Sequence, residues 1–198
     1  MSAITTGVDL TKSFGAVRDQ EGRETCLAIA TSDAHAAAIG GTWSPLSCEY
    51  LFYHAKKRDK TAMDEGTTVP AIMDALKVDG QPVEIGWPYL KELPDDLTTW
   101  KPPAKVGAVF RREMKSAGKA FDAVWTAVEA KKPVLIGMTL SDAFFMPDSN
   151  GIVDSDEKEE PAIKHAVIII ATGTRAKAKL LLARNSCCLL YTSPSPRD

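Results

Sequence analysis

The chain has 198 residues, 44% of them apolar and 25% charged, with a formal net charge of −2. That length suits one domain with a sizeable core, or two lobes sharing one. The charge balance gives no case for nucleic acid or an anionic membrane, and no apolar run approaches the roughly 20 residues of a membrane span.

In chain order, the N-terminal segment 1–13 has no basic stretch followed by an apolar one. It does not resemble a signal peptide, so the chain as given reads as cytoplasmic. Thr25 is placed to cap a helix that starts at Cys26. Leu27 to Ala30 and Ala34 to Ile39 are apolar nearly all round, which predicts a buried helix ended by Gly40-Gly41. Ser44 or Ser47 caps a second helix, whose basic end Lys56-Lys57-Arg58 suits a helix C-terminus. Thr67 or Thr68 opens a third, with Val69, Ile72, Met73 and Leu76 at helical spacing. Residues 80–104 carry five prolines and read as a connection between two halves. A fourth helix is expected from about Ser116 to Lys131, striped by Phe121, Val124, Trp125 and Val128. The runs VLIGMTL (134–140), HAVIIIAT (165–172) and KLLLARN (179–185) are short, aliphatic and bounded by turns, so they read as strands. Helices first and strands last predict an α+β protein, with a helical lobe and a sheet lobe.

Four cysteines are present: Cys26, Cys48, Cys187 and Cys188. They make neither a disulfide framework nor a CxxC zinc pair, and no metal or cofactor is implied. Cys26 stands apart by position. Backbone N–H groups and the helix dipole at a helix start favour a thiolate. A free cysteine is also among the most buried residue types, so position alone leaves core filling as the plainer account. Three other residues shift that balance. Gln20, in the polar loop before Cys26, has an amide able to donate to an oxyanion beside the thiol. His165 opens a strand, and Asn185 ends the next one. Adjacent antiparallel strands would bring the Asn amide to the imidazole and set its tautomer. Cysteine, then histidine, then asparagine is one order in which a nucleophile, a base and an orienting group occur.

At these residues the chain resembles the papain-like cysteine peptidases, from about Phe14 to Ser186. AVRDQEGRETCLAIATSDA is similar to the family's Gln-to-Cys stretch, LSCEYLFYHA to its second helix, and GWPY (86–89) to its Tyr-Pro-Tyr segment. KKPVLIGM, NGIV, KHAVIIIATG and ARNS follow in the family's order. The resemblance implies a two-lobe fold with a cleft between lobes: a helical lobe over 14–104, a β-rich lobe over 105–186, and one peptidase domain in total. It implies Cys26 as nucleophile, His165 as base, Asn185 as orienting residue and Gln20 as oxyanion donor. Gly66 and Ala166 would line the substrate site, and the substrate would be a peptide or protein. The oligomeric state is left open.

The chain also departs from the pattern. Arg23 stands where the family has a half-cystine, Leu27 where it has an aromatic, and Phe52, Tyr53 and His54 stand where the second helix has its half-cystine. A disulfide-poor, bacterial-like branch is implied. After Asn185-Ser186 the family continues Trp-Gly, whereas this chain continues CCLLYTSPSPRD. Residues 187–198 resemble translated adapter sequence, so the chain is expected to be truncated there and the tail to be non-native. The altered flanks leave room for a non-catalytic peptide-binding module, and Cys-dependent acyl or amide transfer would use the same residues. His35 and His54 read as structural and Cys48 as packing. Asp148, Asp154, Asp156, Glu157, Glu159 and Glu160 read as a solvated acidic loop, since the EF-hand spacing is not present.

Overall fold

The computed structural model describes residues 3–140, 142–153 and 160–186. The elements run β1 (Thr5–Asp9), α1 (Cys26–Ile39), α2 (Cys48–Lys56), α3 (Val69–Val78), β2 (Gln81–Pro82), β3 (Val109–Phe110), α4 (Phe121–Glu129), β4 (Val134–Leu140), α5 (Asp142–Phe145), β5 (Glu160–Arg175) and β6 (Ala178–Arg184). The tail 187–198, with Cys187 and Cys188, lies outside the described residues, as do Asp154, Asp156, Glu157 and Glu159.

Helix α1 has the bounds its sequence predicts, and Gly40 ends it at φ +80°. Thr25 does not cap it by side chain. That hydroxyl instead meets the Tyr89 hydroxyl at 2.7 Å. Ser47 and Thr68 do cap α2 and α3, accepting from the backbone of Tyr50 and Ala71. Helix α4 contains its whole apolar stripe but is shorter than the expected span of about Ser116 to Lys131. Gly118 sits at φ +93° and Ala120 is extended, so the chain turns helical only at Phe121.

One four-stranded antiparallel sheet joins β1, β4, β5 and β6. β5 pairs with β4, with Ile168 opposite Leu135, and with β6, with Ile168 opposite Arg184. Its far end also pairs with β1, Thr5 opposite Thr174. β1 is the first strand of the chain yet joins a sheet otherwise built from its last third. A TTGVD stretch, with a glycine and no alternation, carries no strand signal. The pairing supplies what propensity does not.

β5 is buried on both faces, and its alternation divides the core. Ala166, Ile168 and Ile170 pack with α1, α2 and α3. Val167 and Ile169 pack with Val124 and Val128 of α4. Helix α1 therefore lies on one face of the sheet with α2 and α3, and α4 covers the other face. The stretch after α3 is no loose connection. Gln81–Pro82 pairs with Val109–Phe110, and Trp87 and Trp100 are buried against Tyr53 with centroids 5.4 and 5.2 Å away. Gly80 permits this pairing: its φ is +73°, and a Cβ there would stand 2.3 Å from the Phe110 carbonyl. Among the described residues, no helix is long and apolar enough to cross a membrane.

Candidate active site

Cys26 is the first residue of α1 and half-buried, and β5 passes beside it. Burial pushes the thiol above its ordinary pKa, and the nearby Glu24 charge adds to that. Hydrogen bonds from the backbone of Ala166, Leu27 and Cys26 itself oppose it. The Ala166 contact sets the thiol next to the residue that follows His165. His165 is 7% exposed. Its Nε2 lies 2.6 Å from Asn185 Oδ1. A carbonyl oxygen only accepts, so Nε2 carries the proton and Nδ1 keeps a lone pair. Burial lowers the His165 pKa, and the Asn185 hydrogen bond works against that. Antiparallel pairing makes the contact, because Arg184 sits opposite Ile168 and the chain leaving β6 returns alongside His165. The Phe144 ring stands edge-on to the imidazole, centroids 6.0 Å apart.

Gln20 is buried beneath the same end of the sheet. Its backbone N–H donates to the Ser186 carbonyl at 3.0 Å. Its side-chain Oε1 accepts from the Ser186 hydroxyl at 3.0 Å, and Nε2 donates one hydrogen to the Arg23 carbonyl at 3.0 Å. The Tyr89 hydroxyl donates to the Gln20 carbonyl at 2.8 Å. The amide is thus held in one orientation. Ser186 and Tyr89 had a signal in the sequence, the first following Asn185 and the second closing the GWPY segment, but nothing there pointed to Gln20 as their partner.

Gly66 is placed differently from Ala166. Its N–H donates to Glu24 Oε2 at 2.8 Å, and its carbonyl accepts from Lys56 Nζ at 3.0 Å and Thr61 Oγ1 at 2.9 Å. Both of its backbone groups are therefore engaged within the chain. Glu24 went unnoticed in the sequence because its partner lies 42 residues away. A cavity of about 430 Å³ is lined by Glu24, Thr25, Phe52, Met63 and Leu93. Another, of about 360 Å³, is lined by Val17, Arg18, Leu182, Asn185 and Ser186. Cys26 and His165 line neither.

The other singled-out residues are structural in their contacts. Cys48 is buried, and burial pushes its pKa up to about 12. His35 Nδ1 meets Gln81 Oε1 at 2.9 Å inside the core. His54 Nδ1 lies 3.1 Å from Asp79. Asp148 accepts from the Asn150 and Ile152 backbone, closing its own turn.

No family model matches the chain, and no curated protein does. Solved structures do. Xylellain, a cysteine protease from Xylella fastidiosa, superposes with a TM-score of 0.67 at 19% identity over 90% of this chain and 73% of that one. Digestive procathepsin L 3 from the larval midgut of Tenebrio molitor gives 0.72 at 17% identity, over 90% of this chain and 59% of that one. A structure from a study of the mite allergens Blo t 1 and Der p 1 gives 0.65 at 17% identity, over 94% and 62%. This chain thus spans about three-fifths to three-quarters of those chains. At such identities the likeness speaks for architecture: the chain has the α+β, two-lobe fold of the papain-like cysteine proteases.

Proposed function

We propose that the chain is a cysteine-type peptidase that hydrolyses peptide bonds, with one peptidase domain made of a helical lobe over 14–104 and a β-rich lobe over 105–186. The observation carrying this reading is the 2.6 Å contact between His165 and Asn185, made beside Ala166, whose backbone acts on the Cys26 thiol. The folds of xylellain and procathepsin L 3 lend it support.

Burial works against the charged form of both Cys26 and His165. As the Cys26 sulfur attacks the carbonyl carbon, His165 Nδ1 takes the thiol proton. The second hydrogen of the Gln20 amide and the Cys26 N–H receive the oxyanion. Each such donor contributes on the order of 100- to 1000-fold in turnover. The tetrahedral species collapses, the scissile C–N bond breaks, and His165 returns the proton to the leaving amine. Water then hydrolyses the thioester. Ala166 lines the substrate site. Gly66 receives substrate backbone only when the Glu24 carboxylate swings away.

Cys26→Ala tests the reading. It is expected to abolish peptide hydrolysis while leaving the melting temperature within a few degrees of the parent chain. Hydrolysis that persists in the purified variant would overturn the assignment.

A further inference from the structure

The proposed chemistry leaves a buried charged cluster on α1 unused. Asp33 lies on α1, two turns beyond Cys26, and is 2% exposed. Two arginines converge on it. Arg18 Nη2 approaches Oδ1 to 2.6 Å, an ion pair without the alignment of a hydrogen bond. Arg184 reaches Oδ2 from Nη2 at 3.1 Å and from Nε at 3.2 Å. Each arginine is fixed again elsewhere. Arg18 donates to the Leu46 carbonyl at 3.0 Å and lies 3.5 Å from Glu84. Arg184 donates to the Ala16 carbonyl at 2.6 Å, and its guanidinium lies over the Phe14 ring at 5.3 Å.

The sequence positions of these arginines are what matter. Arg18 is two residues before Gln20. Arg184 immediately precedes Asn185. Asp33 shares its helix with Cys26. One carboxylate thus joins the three segments that carry the proposed oxyanion donor, the nucleophile and the orienting asparagine. The buried surface of α1 mixes large side chains, Leu27 and Ile29, with small ones, Ala28, Ala30 and Ala36. A buried ionic contact adds a directional tie to that apolar packing. Registry is the best-attested use of such contacts.

We propose that Asp33 is a positioning residue, which holds the Gln20, Cys26 and Asn185 segments in one register and so sets the reactivity of Cys26. This rests on the peptidase reading for its effect on rate, but its effect on geometry stands by itself. Misplacing reacting groups by about 1 Å costs on the order of 100-fold in rate.

The test uses Asp33→Asn, which keeps volume and removes charge, and Arg184→Lys, which keeps charge and removes the fork. Three quantities are read in each: turnover, the melting temperature, and the exchange rate of the Gln20 amide, which bonds the Ser186 carbonyl. The amide of Ile72 in α3 is the reference. Both variants should exchange Gln20 about tenfold faster relative to Ile72, and lose about 10- to 100-fold in kcat with KM changed less than about twofold. A fall in melting temperature with Gln20 and Ile72 changing alike, and kcat intact, would overturn the proposal. If Asp33→Asn does not fold, Arg184→Lys decides by the same readings. If the parent chain hydrolyses no peptide, the peptidase reading fails, and the Gln20 exchange ratio still decides the role of Asp33.

Discussion

Glu49, the second residue of α2, has no exposed surface, and both its oxygens are saturated. Arg23 reaches them at 2.7 and 3.1 Å, the Trp100 indole donates at 2.7 Å, and the Leu90 N–H donates at 3.1 Å. Arg23 also donates to the Leu90 carbonyl and lies over the rings of Phe52 and Tyr89. Position 23 is where the resemblance places a half-cystine. An ionic tie to α2 serves there instead, three residues before Cys26. Such a pair is hard to break from one side, because the partner is left buried and charged, at about 3–5 kcal/mol. Glu49→Gln should therefore lower the melting temperature by about 10 °C, a shift in proportion for a chain of this length. A change under about 2 °C would mean that the tie is dispensable. Glu24 makes the opposite kind of prediction. Its carboxylate covers the Gly66 N–H from an exposed position. If substrate backbone docks at Gly66, Glu24→Gln weakens the competing contact and lowers KM severalfold with kcat little changed. An unchanged KM would remove Gly66 from the substrate site. Neither residue announces its role in the sequence, since each acts through a partner with no periodic relation to it.

The elements themselves were far more legible. Cys26 to Ile39 was readable because an apolar run ends at a glycine pair. The β4, β5 and β6 runs were readable because aliphatic stretches stop at turns. β1 and the β2–β3 pair were not, being too short for a period and existing only through distant partners. The Asn185–His165 contact lay between these cases: each residue could be seen at a strand end, but the register joining them is a property of the sheet. The helices are also tied through their histidines. His35 of α1 bonds Gln81 of β2, whose amide donates to Ser32 at 2.8 Å and to the Ser47 carbonyl at 3.0 Å. Burial lowers the pKa of His35, of His54 and of His165 below the ordinary value near 6.5. The unfolded chain then binds more protons than the folded one below that pH. Stability is full above about pH 6.5 and falls as the pH drops toward the lowered folded values. Denaturant midpoints at pH 7.5 and 5.5 should show the loss, and His35→Gln should reduce it. A midpoint equal or higher at pH 5.5 would contradict the assignment of His35 as a buried neutral group.

Over the whole molecule, long-range contacts tie α1 and the loop before it to the rest of the chain. Arg23–Glu49 ties the loop to the helices, Asp33–Arg184 ties α1 to β6, and Ala166 brings β5 against the thiol. The fold was legible as a class because its parts occur in order along the chain. The electrostatics of the site were not, because the sequence suggests a helix-start thiolate while burial moves Cys26 the other way. Any acceleration of Cys26 near neutral pH must therefore come from His165. The most direct measurement is the rate of Cys26 alkylation by iodoacetamide against pH, read by peptide mass spectrometry. It is made in the parent chain, in His165→Ala and in an isolated peptide spanning Cys26. Cys48, 1% exposed and raised to about 12, reports that the chain stays folded by remaining unlabelled. The account predicts labelling of Cys26 at pH 7 about tenfold or more faster than in the peptide. The advantage should persist until the pH falls below the lowered His165 pKa, and should be absent in His165→Ala. Labelling no faster than in the peptide, with Cys48 still protected, would contradict it and leave a papain-like fold without the nucleophile.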